Sequence, residues 1–301
     1  MTEKQGILVM SYGTPRSLDD IEDYYTDIRR GRPPPPDLLE ELTERYKAIG
    51  HSPLLEITEA QARGIEERTG ISTYVGYKHI DPFIPDAVAT MAKDGVERAI
   101  GLVLAPHYSK MSVGDYTRRA EVGAAEHGWT GDLRVVKSWH LEPGFIALLA
   151  ARVEEALGRL KTPRDGETVV IFSAHSLPER ILQADDPYPD QLRETAEAVA
   201  ARMGLPKWCI GWQSAGRTED PWIGPDILEV LGDLKEEGAT SVVVCPAGFV
   251  ADHLEVLYDI DIEAQQIARK QGIELVRTRS PNDDPEFLDV LAGVVKRALS
   301  E

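Results

Sequence analysis

The sequence is poor in cysteine: Cys209 and Cys245 are the only two in 301 residues. They form no metal-binding spacing and no disulfide framework, which fits a reducing compartment. Basic charge is also short. Lys and Arg number 33 against 51 Asp and Glu, a net charge of -18. Phosphate contacts need a basic footprint, so a nucleic-acid binder is disfavoured. General attraction to anionic lipid is disfavoured on the same ground. No apolar run approaches the ~18 residues of a membrane span. MTEKQGILVM has no basic segment leading into a long apolar stretch, so no secretory signal is readable. The phosphate-binding GxGxxG and Walker patterns are missing. SAHS around His175 is not the GxSxG of an α/β-hydrolase. What remains is a globular balance, 42% hydrophobic and 28% charged, and a cytoplasmic protein is the expectation.

Short apolar runs alternate with longer helical patterns. The first half holds GILVMS (6–11), TYVGYK (73–78), AIGLVLA (99–105) and LRVVKSW (133–139). The second holds TVVIFSA (168–174), WCIGWQ (208–213), SVVVCPA (241–247) and IELVRTR (273–279). Continuous apolar runs separated by helices predict parallel strands covered on both faces. The halves also match each other. YVGYKHIDPFIPDAV (74–88) parallels CIGWQSAGRTEDPWIGPDI (209–227), each passing from strand through a polar loop and Asp-Pro-aromatic to a helix. Two doubly wound α/β domains related by duplication are expected, each with a four-stranded parallel sheet. The boundary is placed at TPRDGE (162–167), giving domains 1–161 and 162–301. The last helix, 285–300, could pack on either.

Ligands in such sheets bind beyond the carboxyl ends of the strands. Tyr12 follows the first strand, as a capped core tyrosine or as a phenol aimed into a cleft. Arg29, Arg30 and Arg32 stand before a run of four prolines, as a solvated loop or as a carboxylate clamp. Arg45, Tyr46 and Ser52 surround a Gly turn, and His107, Ser109 and Tyr116 follow the third strand. His175 falls one residue past the fifth run, placed to act as a base or a metal ligand. GFVADHLEVLYDIDIE (248–263) reads as a helix with Glu255, Asp259 and Glu263 at i, i+4 and i+8 on one ridge. Like charges so spaced repel by a few tenths of a kcal/mol per pair. The helix dipole accounts for Asp252 and Glu255 near the N-terminus, but not for the two acids beyond the first turn. Those are either a solvated face or carboxylates that escort a divalent cation toward the histidine.

SYGTP, YYTDIRRGR, RYKAIGHSPL, GYKHIDPFIPDAV, FSAHSLPER, DPYPDQL, GWQSAGRTEDPWIGPD and GFVADHLEVLYDID together resemble the ferrochelatase family, from about residue 6 to the last helix. The likeness is to the short soluble Gram-positive form, which acts on coproporphyrin III. It implies two Rossmann-like domains with a porphyrin cleft between them, and insertion of Fe2+ with release of two protons. By resemblance, His175 and Glu255 take the metal-site pair, and Asp259 and Glu263 the outer ridge, where a second divalent cation such as Mg2+ could sit. Tyr12 takes the position of an axial ligand to product iron. Arg29, Arg30, Arg45, Tyr46, Ser52, Tyr116, Lys78 and Trp222 take porphyrin-contacting positions. The loop before Ser52 is one residue shorter than in some relatives. No organic cofactor is implied, and two cysteines cannot ligate a Cys₄ [2Fe–2S] cluster. The chain ends at Glu301 without the membrane-associating extension of some members, which favours a monomer. The sequence names neither an iron donor nor a downstream haem-pathway enzyme.

The chemistry such a site needs can be stated from the substrate. A free-base porphyrin must lose two N–H protons while the metal sheds water. That calls for a base, a metal handoff and walls that distort the ring, with Tyr12, Trp212 and Trp222 as candidate walls. His175 or Glu255 could fill either of the first two roles. Four propionates call for local cations in an acidic chain. Three other readings stand beside this one: a protoporphyrin IX ferrochelatase, a chelatase for another metal and tetrapyrrole, and a non-catalytic haem-binding or delivery protein.

Overall fold

The computed structural model describes residues 3–161, 167–218 and 220–301. The proposed boundary at 162–167 lies, but for its last residue, outside them. Strands β1 (Gln5–Ser11), β2 (Thr73–Tyr77), β3 (Arg98–Val103) and β4 (Asp132–Val136) form one sheet in the order β2-β1-β3-β4. Strands β5 (Thr168–His175), β6 (Trp208–Gln213), β7 (Ser241–Cys245) and β8 (Glu274–Arg277) form the second in the order β6-β5-β7-β8. All six pairings are parallel. The order is the same in both sheets, as the repeated sequence pattern requires. Strand β7 stops short of the expected 247 because Pro246 has no N–H to give the ladder.

The helices are α1 (Ile21–Ile28), α2 (Pro36–Ile49), α3 (Leu54–Thr69), α4 (Ile84–Lys93), α5 (Val113–Glu126), α6 (Pro143–Gly158), α7 (Tyr188–Met203), α8 (Ile227–Glu236), α9 (Leu254–Leu257), α10 (Gln265–Gln271) and α11 (Pro285–Ser300). The run of prolines ends where α2 begins, with Pro36 in the first turn, the one helical position where a missing N–H costs nothing.

Both faces of each sheet are apolar, and the strand period of two sorts them. Ile7 and Val9 point to one side, Leu8 and Met10 to the other. In the second sheet, Val170 and Phe172 oppose Val169 and Ile171. The inner sets join in one core that spans both sheets, with Phe145, Phe172 and Phe287 fully buried. Each such side chain contributes roughly 1.5–3 kcal/mol on burial. The outer sets pack under α4 and α5 in the first half, and under α8 and α10 in the second. Two helices cross between halves. Helix α6 packs on β7 and β8, while α11 packs on α3 and β3. Gly64 permits the last contact, because a Cβ there would lie 2.4 Å from Leu288. The shared core fixes one sheet against the other, and the strand ends of both open on one cavity.

Candidate active site

The cavity has a volume of about 530 Å³ and is lined by the strand-end loops of both sheets. His175 is the last residue of β5 and pairs in register with Gln213 of β6. The Gln213 side chain accepts from Ser173 at 2.9 Å and donates to the Glu255 carbonyl at 2.8 Å. It ties the end of β5 to the turn that carries Glu255. Gly248 lets that turn cross β5, since a Cβ there would lie 2.5 Å from the Ala174 Cβ.

Two imidazoles face one carboxylate. His175 Nδ1 donates to the Ser176 carbonyl, and His253 Nδ1 donates to the Ala251 carbonyl at 2.8 Å. Each Nε2 is therefore turned toward Glu255, at 3.4 Å for His175 and 3.2 Å for His253. A ring anchored through Nδ1 presents Nε2 in a fixed direction, to a proton or to a metal. Tyr188 adds a hydroxyl donor to the His175 carbonyl at 2.9 Å. Burial alone would lower the His175 pKa, but the Glu255 carboxylate outweighs it and raises the pKa to about 9. Burial would raise Glu255, and the two imidazoles instead hold it well below the usual carboxylate range. At neutral pH the pair is imidazolium and carboxylate, carrying one proton between them.

The acidic ridge is not the single α-helix that the spacing predicts. Helix α9 is one turn long, and Asp259–Ala264 is π-helical before α10 begins. The Tyr258 carbonyl accepts from both Ile262 (3.2 Å) and Glu263 (2.9 Å), so the shorter bond is the i to i+5 bond of a π-turn. The wider turn breaks the straight i, i+4, i+8 row. Asp259 is buried, accepts from the Ser214 hydroxyl, and pairs with Arg45 at 3.3 Å. Burial raises its pKa to about 6. Asp259 lines the cavity, whereas Glu263 is half-buried behind it and does not. These residues do not fit a resident second cation. Asp259 is committed to Ser214 and Arg45, and Glu263 does not join it at the cavity wall. Asp252 turns away and is held by Arg277, Ser280 and Asn282.

The first half supplies the opposite wall. Tyr12 follows β1, with its ring edge against His79 at 4.6 Å between centroids. His79 is held by Asp27 at 2.6 Å. Tyr12 is 39% exposed where it opens on the cavity, yet the protein packed around it and the Glu255 carboxylate raise its pKa, so the phenol is protonated. Lys78 lies between Tyr12 and Tyr116, 5.8 and 5.1 Å from their ring centres, and pairs with Asp115 at 3.1 Å. Burial lowers the Lys78 pKa against the pull of Asp115. Tyr46 shares a 3.0 Å hydrogen bond with Thr14, and burial pushes its phenol up to about 12.

Of the residues expected from sequence, His175, Glu255, Asp259, Tyr12, Arg45, Tyr46, Lys78, Tyr116 and Trp222 all line this cavity. Trp222 places its ring 6.3 Å from that of His175. Trp212 does not reach the cavity; it is buried against Tyr188. Arg29, Arg30 and Ser52 lie outside the lining. Arg30 is an exposed residue at φ 59°, and Arg29 covers the Tyr25 ring at 5.8 Å. Ser52 is buried with an unpartnered hydroxyl. His107 lines the cavity but is tied to Thr195 at 2.9 Å, and burial drops its pKa to about 3. Sequence reasoning passed over His253, Ser214, Gln61 and Arg217. His253 stands two residues before Glu255 in GFVADHLEVLYDID, and Ser214 and Arg217 stand in GWQSAGRTEDPWIGPD, so only Gln61 lies outside the marked stretches.

A protein-family model described as ferrochelatase matches residues 4–299. The chain belongs to the ferrochelatase family. It is 47% identical to a coproporphyrin III ferrochelatase of Halalkalibacterium halodurans, across 100% of this chain and 99% of that one. It is 46% identical to the coproporphyrin III ferrochelatase of Bacillus subtilis, across 99% and 98%. Among solved structures it resembles the Bacillus subtilis sirohydrochlorin chelatase SirB, at 13% identity with Fe3+ and 11% with cobalt. The TM-scores are 0.64 and 0.63, with at least 98% of this chain and 95% of the other covered. At such identity the likeness is one of fold. No helix among the described residues is long and apolar enough to cross a membrane. His175 and Glu255 on one side and Tyr12 on the other line a single cavity of this family member.

Proposed function

We propose that this ferrochelatase inserts Fe2+ into coproporphyrin III and releases two protons. The supporting observation is the pair of Nδ1-anchored imidazoles turned onto Glu255, facing Tyr12 and Lys78 across a cavity walled by aromatics. The whole-length relatives named coproporphyrin III ferrochelatases supply the substrate.

The chemistry follows from the geometry. In the empty pair, one proton sits on His175. A ferrous ion approaching Glu255 and the two Nε2 atoms drives that proton out to solvent, because metal and proton compete for the same lone pair. The ion binds as substrate, exchanging water for carboxylate and imidazole. Moving on to the pyrrole nitrogens, it leaves the His175 imidazole as the base for one N–H proton and Glu255 to pass the other outward, since beside an imidazolium the carboxylate does not hold it. Each proton taken by one group changes the affinity of its neighbour, so the pair titrates as a unit. Asp259, with a pKa of about 6, can accept a proton from that pair near neutral pH. Across the ring, Tyr12 offers its phenol oxygen to product iron. Lys78 and Arg45 face the substrate as cations.

Anaerobic insertion of ferrous iron into coproporphyrin III and protoporphyrin IX, followed by loss of the free-base spectrum, tests the proposal. Strong preference for coproporphyrin III is expected. Preference for protoporphyrin IX overturns the substrate. Tight haem binding with no turnover of either overturns the enzyme.

A further inference from the structure

One cation at the cavity mouth has no part in the reading so far. Arg217 stands in the loop after β6, on the second half, and its Nη1 lies 2.6 Å from Glu41 Oε2 on α2 of the first half. The other oxygen of Glu41 already serves Arg45, at 3.1 Å. One carboxylate thus holds two guanidiniums, and all three residues line the cavity that contains His175 and Glu255.

The described residues beside Arg217 are packed. Trp222 donates to the Thr218 hydroxyl at 2.9 Å, and its ring lies over Gly216, where a Cβ would be 2.4 Å from the ring. The residues on both sides of Arg217 are therefore packed against the Trp222 ring, itself beside His175. The side chain is 65% exposed, so its pairing with Glu41 is made in water-accessible surroundings and is easily exchanged. A guanidinium carries five N–H donors in a fork that fits a carboxylate bidentately, and the Glu41 contact runs through Nη1. The chain as a whole is strongly acidic, with a net charge of -18, so a polyanionic substrate is attracted only where cations are gathered.

We propose that Arg217 clamps a carboxylate of the substrate, and that Glu41 is the internal carboxylate that keeps Arg217 aimed at the mouth until the substrate displaces it. The inference rests on the polycarboxylate-porphyrin reading and deepens it, by adding a specificity residue from the second half to the cations of the first. Displacement leaves Glu41 with Arg45, so no buried charge is stranded.

The test is fluorescence titration of the full chain with coproporphyrin III and with its tetramethyl ester, together with steady-state iron insertion. Arg217→Gln is expected to weaken binding of coproporphyrin III by about tenfold, the worth of one charge-assisted hydrogen bond. It should raise KM to match with kcat nearly unchanged, and leave the ester's affinity within twofold. Glu41→Gln should tighten coproporphyrin III or leave it as it is. Affinity for coproporphyrin III within twofold of wild type in Arg217→Gln overturns the clamp. So does an equal loss in Glu41→Gln, which would make the pair a strap between the halves. A wild type that turns over coproporphyrin III while Arg217→Gln binds it normally refutes the clamp alone. A wild type that binds but never metallates it, with affinity still lost in Arg217→Gln, refutes the enzyme reading alone.

Discussion

The two halves share a strand order and a helical cover, yet their first strands end differently. Strand β1 ends at Ser11 and hands the cavity a phenol, Tyr12. Strand β5 ends at His175 and hands it an imidazole. The difference continues around the rim. The first half adds Lys78, Tyr116, Tyr46 and Arg45, which are cations and phenols. The second adds His253, Glu255 and Asp259, an imidazole and two carboxylates, the donor types that bind a metal ion. A repeated framework has divided the work. One sheet presents groups suited to a flat, carboxylated ring, and the other presents groups suited to the ion and the protons. The fold places both sets at strand ends, and only the side chains there differ.

That division is broken most severely at Glu255. Glu255→Gln keeps size and shape but removes the charge that both imidazoles face. Iron insertion should fall by about 10²–10⁴-fold, the range for loss of a positioned acid–base group. Coproporphyrin III affinity should stay within a few-fold, because the cations that meet its carboxylates, Lys78, Arg45 and Arg217, are untouched. Near-normal turnover would remove Glu255 from the metal site.

The matching change in the first half should act differently. Tyr12→Phe keeps the ring and its edge contact with His79 but removes the oxygen. The insertion rate should change by less than about tenfold, far below the Glu255 effect. The absorption spectrum of the bound ferric product should change, since the axial oxygen is gone. An unchanged product spectrum would mean that Tyr12 only walls the cavity.

Much of this contrast could be read from the sequence, for a definite reason. Strand identity depends on local apolar runs, and β5 or β7 announces itself with five or more buried residues in a row. His175 followed because strand ends are where a doubly wound sheet puts its chemistry. What escaped notice depends on contacts that no short pattern encodes. The direction of His253 Nε2 is fixed by the Ala251 carbonyl, a backbone atom. The value of Arg217 depends on Glu41, which is distant in sequence and adjacent in space. The π-helical turn at Asp259–Ala264 begins at the Tyr258 carbonyl, which accepts from Glu263 as well as Ile262. Period counting assumes 3.6 residues per turn and so drew Glu263 onto the ridge with Asp259.

The smallest expected effect sharpens the comparison at the edge of the second half. Asp259 is a nearly buried carboxyl whose pKa is raised from 3.8 to about 6, chiefly by burial, with the Ser214 hydrogen bond and the Arg45 charge only partly opposing it. A raised folded pKa means that the folded state holds the proton more tightly than the unfolded chain does. The stability this confers is fully present below pH 3.8 and is lost as the pH rises through about 6. Above that, ionised Asp259 costs the fold up to about 3 kcal/mol. Asp259→Asn keeps an acceptor for Ser214 and has nothing to ionise. Its melting temperature should therefore exceed that of wild type by a few degrees at pH 8, with a smaller gap at pH 5, while iron insertion falls. A gap of the same size at both pH values would mean that the carboxyl is not strained by burial. A variant less stable than wild type at pH 8 would mean that the Arg45 pair outweighs burial, and would make Asp259 a tie between the halves instead of a proton acceptor.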